Sequence, residues 1–487
     1  MTAVPQAVQQ AAAAPPARRE PRGPVRRRGP ARLVPRTAAA RVRALAALVV
    51  VALAVTLAVT WNAVADARHG MRVIGHDAGP QVVATSDLYF QLTDMDAQLA
   101  NALLIGGSQG LGATRAQALA RYEQNHAKAA TALLQAAKLA DEPSENATAQ
   151  EVVIALGDYE RLAGQALLLD QQFGHTAGPP SQRVLDLYRQ ASDIMKLDVL
   201  PKAYNLTLDN GTLVRHTYED ERAAVRNGVI AVVAAGAVLV VLLLALQVFL
   251  TRRFRRVLNP PLALATLVAV ALTAFGAVTL SAQSAHLKRA KEDGFDSILS
   301  LSRARAIGNS ANADQTRYLL DPGRADTYEQ VFLSKSQSVL YLKAGNLAAY
   351  NDAVQRQRGR TGFLGFLGTE AAQRGIAGQD AALAKVIAAY RTFQADDHRI
   401  RGLVEAGRRD EAIRARLGRT AGSSAADFAA YDGSLVKLVQ IHRDVFDDAV
   451  RDGDGGTRHW EWGLPVAGLL VAALVLLGVR PRLAEYR

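Results

Sequence analysis

Four uncharged stretches, Ala44 to Ala65, Asn227 to Thr251, Val257 to Ala285 and Trp462 to Val479, constrain this chain more than any other feature. They run 22, 25, 29 and 18 residues. At about 1.5 Å of rise per residue each approaches or exceeds a hydrocarbon core of about 30 Å, so each reads as a transmembrane helix. The last is the shortest, and Trp460 and Trp462 at its outer end complete it at the headgroup level. The absence of cysteine from 487 residues excludes a disulfide-stapled or Cys-based metal protein, and 49% apolar residues exclude wholesale disorder.

The net charge of +12 is confined to the ends of these stretches. Residues 1–43 hold ten arginines and one glutamate, the loop Arg252–Asn259 four arginines, and the tail Arg480–Arg487 three arginines and one glutamate. The three pieces carry +15 and the rest of the chain −3. By the positive-inside rule both termini and the central loop face the cytoplasm, and all three tryptophans (Trp61, Trp460, Trp462) fall at the outer interface. The excess of arginine is therefore a topology signal, and no nucleic-acid partner is expected. Ala63-Val64-Ala65 resembles a cleavage site, but the apolar run before it exceeds the roughly 7–15 residues of a signal core, so the first span reads as a retained anchor. The arm, with seven prolines before Thr37, reads as disordered and held against anionic lipid, or as a topology determinant alone.

The resulting plan is a basic cytoplasmic arm over 1–43, spans over 44–65, 227–251, 260–285 and 462–479, extracytoplasmic domains over 66–226 and 286–461, a cytoplasmic loop over 252–259 and a tail over 480–487. Both outside domains read as helical. Leu88, Leu92, Met95, Leu99 and Leu103 form one stripe at helical spacing, and Val184, Tyr188, Ala191 and Met195 another. Thr114 with Gln117, Thr148 with Glu151 and Asp326 with Glu329 have capping-box spacing, and Pro201 predicts a kink or break. About 160 residues in four long runs fit an up-down-up-down bundle that returns both ends to the membrane. The expected fold class is thus an all-α membrane protein with four spans and two four-helix-bundle-like domains. Internal duplication is expected from matching signals: Leu103-Leu104 and Tyr122-Glu123-Gln124 against Leu319-Leu320 and Tyr328-Glu329-Gln330, then Val153-Ile154-Ala155 with Tyr159 against Val386-Ile387-Ala388 with Tyr390.

No catalytic constellation is legible: there is no P-loop, no His-Glu-x-x-His and no G-x-S-x-G elbow. The nine histidines are scattered, so neither a metal nor a cofactor is expected. Only 59 residues face the cytoplasm, too few for a kinase or cyclase in the same chain. One helical stretch is unusually polar. Arg303, Ser310, Asp314 and Arg317 share one face, Arg305, Asn309, Asn312 and Thr316 another. They make a candidate recognition surface for acidic groups of a ligand or partner; the alternative is a solvated helix with internal Arg–Asp pairing. A second candidate is the loop Gly362–Gly368, where Phe363 and Phe366 either form an exposed docking patch, far from the membrane in an upright bundle, or tuck over the core. Arg252, Arg253, Arg255 and Arg256 are the candidate cytoplasmic coupling residues.

The twice-repeated span–bundle–span plan, the run Asp94-Met-Asp-Ala-Gln-Leu-Ala-Asn-Ala-Leu-Leu104 and the run Ala311-Asn-Ala-Asp-Gln-Thr-Arg-Tyr-Leu-Leu-Asp-Pro322 resemble the actinobacterial GlnX-type membrane proteins. The resemblance covers nearly everything after the arm. It implies a relay of amino-acid availability (glutamate, glutamine or aspartate) from an extracytoplasmic solute-binding lipoprotein to a cytosolic serine/threonine kinase, the protein kinase G nutrient-sensing system. Independently of it, a chain with large outside domains, little inside and no chemistry can only pass on a conformational or assembly state. A direct small-ligand sensor of chemoreceptor type and a structural envelope scaffold are the other readings.

Overall fold

The computed structural model describes residues 38–139, 143–254, 259–359 and 361–484. The arm through residue 37, Arg255 and Arg256 of the central loop, and the last three residues lie outside the described residues. α1 (Ala38–Arg72) passes through a π-helical stretch, Val73–Ala78, into α2 (Gly79–Ile105). α3 (Arg115–Leu139), α4 (Pro143–Phe173) and α5 (Gln182–Ile194) follow, and a second π-stretch, Met195–Val199, joins α5 to α6 (Leu200–Phe254). α7 (Pro260–Lys288) continues through a third, Arg289–Phe295, into α8 (Asp296–Leu320). After a 3-10 turn come α9 (Ala325–Val339), α10 (Leu347–Arg356), α11 (Phe366–Ala372), α12 (Gln379–Glu405), α13 (Arg409–Leu417), α14 (Ser424–Thr457) and α15 (Trp460–Ala484). Among the described residues there is no strand, only an isolated bridge between Tyr341 and Leu364.

Four helical runs, Ala40–Asp77, Arg215–Arg252, Pro260–Leu320 and Ser424–Pro481, are long and apolar enough to cross a membrane. They form a closed ring in which α1 and α7 each pack against both α6 and α15. Leu53, Leu239, Leu243, Leu262 and Val471 fill its centre, while Leu48, Val51, Val241, Leu267 and Leu469 point outward and exposed. Apolar residues on both the inner and outer faces suit lipid rather than water. The chain is an all-α membrane protein. Trp61 and Trp462 lie on the outer surface as a belt requires, but Trp460 is buried and stacks on Phe275 with ring centroids 5.3 Å apart.

The expected break at Pro201 does not occur. Proline lacks an N–H and its ring crowds the carbonyl four residues back, and a wider π-turn relieves both problems without ending the helix. The π-stretch Met195–Val199 ends just before Leu200-Pro201, and Val73–Ala78 ends in the same way before Gly79-Pro80. Helical backbone therefore runs unbroken over 38–105, 182–254 and 260–320. Thr114 and Gln117 form the expected capping box, each side chain accepting from the other's backbone N–H. Thr148 does not cap, because α4 starts five residues earlier at Pro143 and the Thr148 hydroxyl bonds back to the Ser144 carbonyl. The start of α9 carries no side-chain cap either; the preceding Pro322–Arg324 turn leads the chain in.

Outside the spans the two inter-span segments form one body. α2 and α8 run side by side in the same direction at its centre, with α3 against α2 and α9 against α8. The core under the first segment includes Leu319, Leu320, Ile400, Ile413 and Leu417 from the second. A separate cluster within the second segment packs Tyr350, Phe393, Phe428 and Tyr431 around Tyr390. Of the sequence echoes, Tyr159 and Tyr390 are both buried, but Val153 and Ile154 are exposed whereas Val386 and Ile387 are buried, so those tripeptides are not equivalent positions.

Candidate functional site

α8 is the polar helix singled out by the sequence, and it lies inside the body. Sixteen of its 25 residues are buried, Asn309, Asp314, Gln315, Thr316 and Arg317 among them. A helix with polar groups on every side has no solvent face to show by periodicity, and its polar groups find partners on the neighbouring helices instead. Three environments result, one for each of its arginines Arg317, Arg305 and Arg303.

At the upper end Arg317, 2% exposed, joins the two halves. Its guanidinium donates to Asp314 on its own helix, to Asp96 on α2 and, from Nε at 3.1 Å, to the Tyr188 hydroxyl on α5. Asp96 also accepts from Ser192 at 3.1 Å, and Asp314 from Lys335 on α9. Burial pushes the Tyr188 phenol well up, so it stays neutral. Beside this network Arg189 of α5 holds Asp321 in a two-pronged pair at 2.6 and 2.9 Å. At the same level Asn101 accepts from Thr316 at 2.9 Å, and lower on the seam Asn309 donates to Thr93 at 3.5 Å. Arg317 and Asp314 are thus committed to partners within the chain, and Asn312 offers its backbone carbonyl to Arg416 at 3.0 Å.

Arg305 points to the opposite side of the seam, into a groove of about 610 Å³ between α2, α3, α8 and α14. It pairs two-pronged with Asp432 at 2.6 and 3.0 Å and lies 3.9 Å above the Phe90 ring. Helix periodicity supplies the walls: Arg121, Gln124, Asn125 and Lys128 from α3 face Gln440 and Arg443 from α14. Among the described residues Arg121, Lys128 and Arg443 make no hydrogen bond or ion pair, and Arg443 Nε is buried without a partner. Two carboxylates, Asp87 and Asp94, line the same groove, and Asp94 accepts from Asn125 at 2.6 Å.

Arg303 opens into a third space, a cavity of about 170 Å³ walled by Tyr89, Tyr204, Ile307 and Phe366. Its guanidinium carbon lies 5.3 Å from the centre of the Tyr204 ring. Phe366, named by the sequence for a different reason, meets Arg303 here. Its neighbour Phe363 is buried in the second core, and of the loop's apolar side chains Leu364 is the exposed one. The loop does not stand far from the membrane. It joins the second and third runs of the segment, so it falls at the end where the chain enters and leaves, and Gln373 just after it bonds Ser297 at 2.8 Å. Of the cytoplasmic candidates, Arg252 and Arg253 lie in the last turn of α6, with Arg252 exposed.

The pairing of Asp96 and Tyr188 with Arg317 carries no signal in the sequence, because each lies more than 100 residues along the chain from it. The packing of α2 and α5 against α8 brings them together.

No curated protein and no solved structure matches the chain. Residues 70–219, within the segment between the first two spans, match the family model described as an actinobacterial sensor domain, and in a chain with four membrane-crossing helices that match supports a transmembrane sensor of actinobacterial kind.

Proposed function

We propose that this chain is a non-enzymatic transmembrane relay that passes extracytoplasmic nutrient status, chiefly that of an acidic amino acid delivered by a solute-binding lipoprotein, to a cytoplasmic serine/threonine kinase pathway. The observation that carries the reading is continuity: three helices pass from the α2–α8 seam into the spans without a break. A shift in how the halves pack is then carried as a rigid displacement of those helices. The arginine bias supports a body outside the membrane, with Arg252, Arg253, Arg255 and Arg256 inside. The unpaired Arg121, Lys128 and Arg443 support recognition of carboxylates, because guanidinium and ammonium groups facing a groove favour an anionic occupant. The parallel course of α2 and α8, each fed from a span through a π-stretch, supports internal duplication.

The same groove favours direct uptake of a small ligand as the second reading, since Asp87 and Asp94 beside the cations offer a place for an ammonium group. The chain holds no cysteine, so Arg252→Cys with Arg480→Cys places two spin labels at the cytoplasmic ends of α6 and α15. Their distance is measured in nanodiscs with glutamate, glutamine or aspartate, each alone and with an amino-acid-binding lipoprotein. A change that needs the lipoprotein supports the relay, and a change with the amino acid alone supports direct sensing. An unchanged distance in every sample removes both.

A further inference from the structure

The cavity at Arg303 has a chemistry different from that of the groove. Most of its wall is apolar, from Tyr89, Tyr204, Ala306, Ile307 and Phe366, and none of its lining residues is a carboxylate. Two buried polar atoms of its lining residues lack partners: Ser86 Oγ, on a residue 8% exposed, and Arg303 Nε. Among the described residues Arg303 has no counter-ion. A guanidinium drawn partly out of water beside an unpaired hydroxyl is costly unless an acceptor with two oxygens joins them. Burial and the nearby Tyr204 raise the Tyr89 phenol, so the walls add no negative charge.

We infer that this cavity is a binding site for a small monocarboxylate with a branched-aliphatic or aromatic body and no ammonium group. The carboxylate meets Arg303 and Ser86, for which its planar pair of oxygens is suited, while the body lies among Tyr89, Tyr204, Ile307 and Phe366. Its volume is of the order that takes a benzene-sized guest. An α-amino acid is disfavoured, because its ammonium group would be buried with no carboxylate to face it.

The position gives the site a consequence. Its walls come from α2, α6 and α8, the three helices that run on into the first, second and third spans, with Phe366 of α11 closing one side. Tyr204 lies 23 residues before Asn227, roughly 35 Å from the span at about 1.5 Å per residue. An occupant there holds the three helices in one arrangement and biases the relay independently of the groove. In this consequence the inference rests on the relay reading; its chemistry stands apart from it.

Calorimetric titration of the full chain in nanodiscs with phenylacetate and 4-methylpentanoate, against phenylacetamide and leucine, tests the site. The expected result is saturable binding of both acids, at least tenfold weaker binding of the amide, and none of leucine in this cavity. Arg303→Gln, checked for folding by its thermal transition, is expected to weaken the acids at least tenfold and leave the amide unchanged. Equal binding of acid and amide, or no binding of either acid to folded protein, overturns the proposal, and the acid–amide comparison decides even where Arg303→Gln does not fold. Spin-label distances taken on the same samples separate the two claims. Binding without a distance change upholds the site and removes its link to the relay, whereas a change that needs glutamate and the lipoprotein together, in a chain that binds no monocarboxylate, overturns the site and spares the relay.

Discussion

Arg317 occupies the point in the body where a charge has least water to lean on. It is 2% exposed between Asp96, 1% exposed, and Asp314, fully buried. Burial alone would raise the Lys335 and Asp314 energies as ions, and the arrangement holds because every charge in it faces an opposite one. Arg317→Ala leaves Asp96 with only the Ser192 and Tyr159 hydroxyls, so a loss of about 3–5 kcal/mol is expected in denaturant unfolding of the full chain. Arg317→Met combined with Asp96→Asn removes the stranded charge along with its partner and is expected to cost less than Arg317→Ala alone; the reverse order would show that the ion pair itself, rather than avoidance of an unpaired charge, holds the seam. Asp396 presents the opposite case. Burial and the neighbouring Asp427 carboxylate push its carboxyl up to about 7, against the paired Arg399. A raised acid keeps a proton that the unfolded chain has already released, so its stabilising share is full below about pH 4 and is lost as the pH climbs to about 7. The midpoint of thermal unfolding is expected to fall across that window, and Asp396→Asn to flatten the fall; parallel curves for the two proteins would refute the assignment.

Between the spans and the core, glycines let the helices close on a small apolar cluster around Met71, Ile74, Phe295 and Val450. A Cβ on Gly294, in the π-stretch that feeds α8, would meet Phe446 at 2.7 Å from Cβ, 3.0 Å from Cα and 3.2 Å from N. Two of those atoms are backbone and cannot swing aside. Gly453 is pressed by Met71 and Gly75 by Val450, so α14 approaches the run from α1 into α2 with the same closeness. Gly294→Ala is expected to push α14 away from this stretch at a cost of about 1–3 kcal/mol. Gly157, exposed within α4 with nothing within 4 Å of an added Cβ, is the control. Gly157→Ala is expected to gain up to about 1 kcal/mol from helix propensity. Thermal unfolding of the two variants in one detergent compares them, and equal shifts would mean that the close approach of α14 is not under strain. Such an element contact is invisible in sequence, where Gly294 and Gly157 are both glycines inside helical runs.

At the scale of the whole molecule, the legible features were those that depend on neighbours in the chain. Apolar runs marked the spans, the stripe from Leu88 to Leu103 marked α2, and Thr114 with Gln117 marked the start of α3, because each is a local balance of burial, spacing or capping. The association of the halves was not legible. α8 lacks an amphipathic pattern because it is enclosed on most sides, and its polar residues read equally well as a surface for a partner or as a solvated face. Arg303 and Phe366 were named separately, and only the folding of α11 under the seam makes them neighbours. That association now carries a prediction of its own. Leu319, Leu320, Ile413 and Leu417 of the second half are at most 2% exposed within the core of the first. At about 1.5–3 kcal/mol for each buried side chain, four of them contribute roughly 6–12 kcal/mol, the order of a whole domain's stability. A chain severed between the second and third spans is therefore expected to yield two halves that copurify when expressed together and unfold in one cooperative transition. Either half expressed alone is expected to lack that transition and to expose the apolar seam. Two halves that each unfold cooperatively on their own would mean that the α2–α8 contact is a docking of finished domains, and a signal would then have to move one domain against the other rather than repack a shared core.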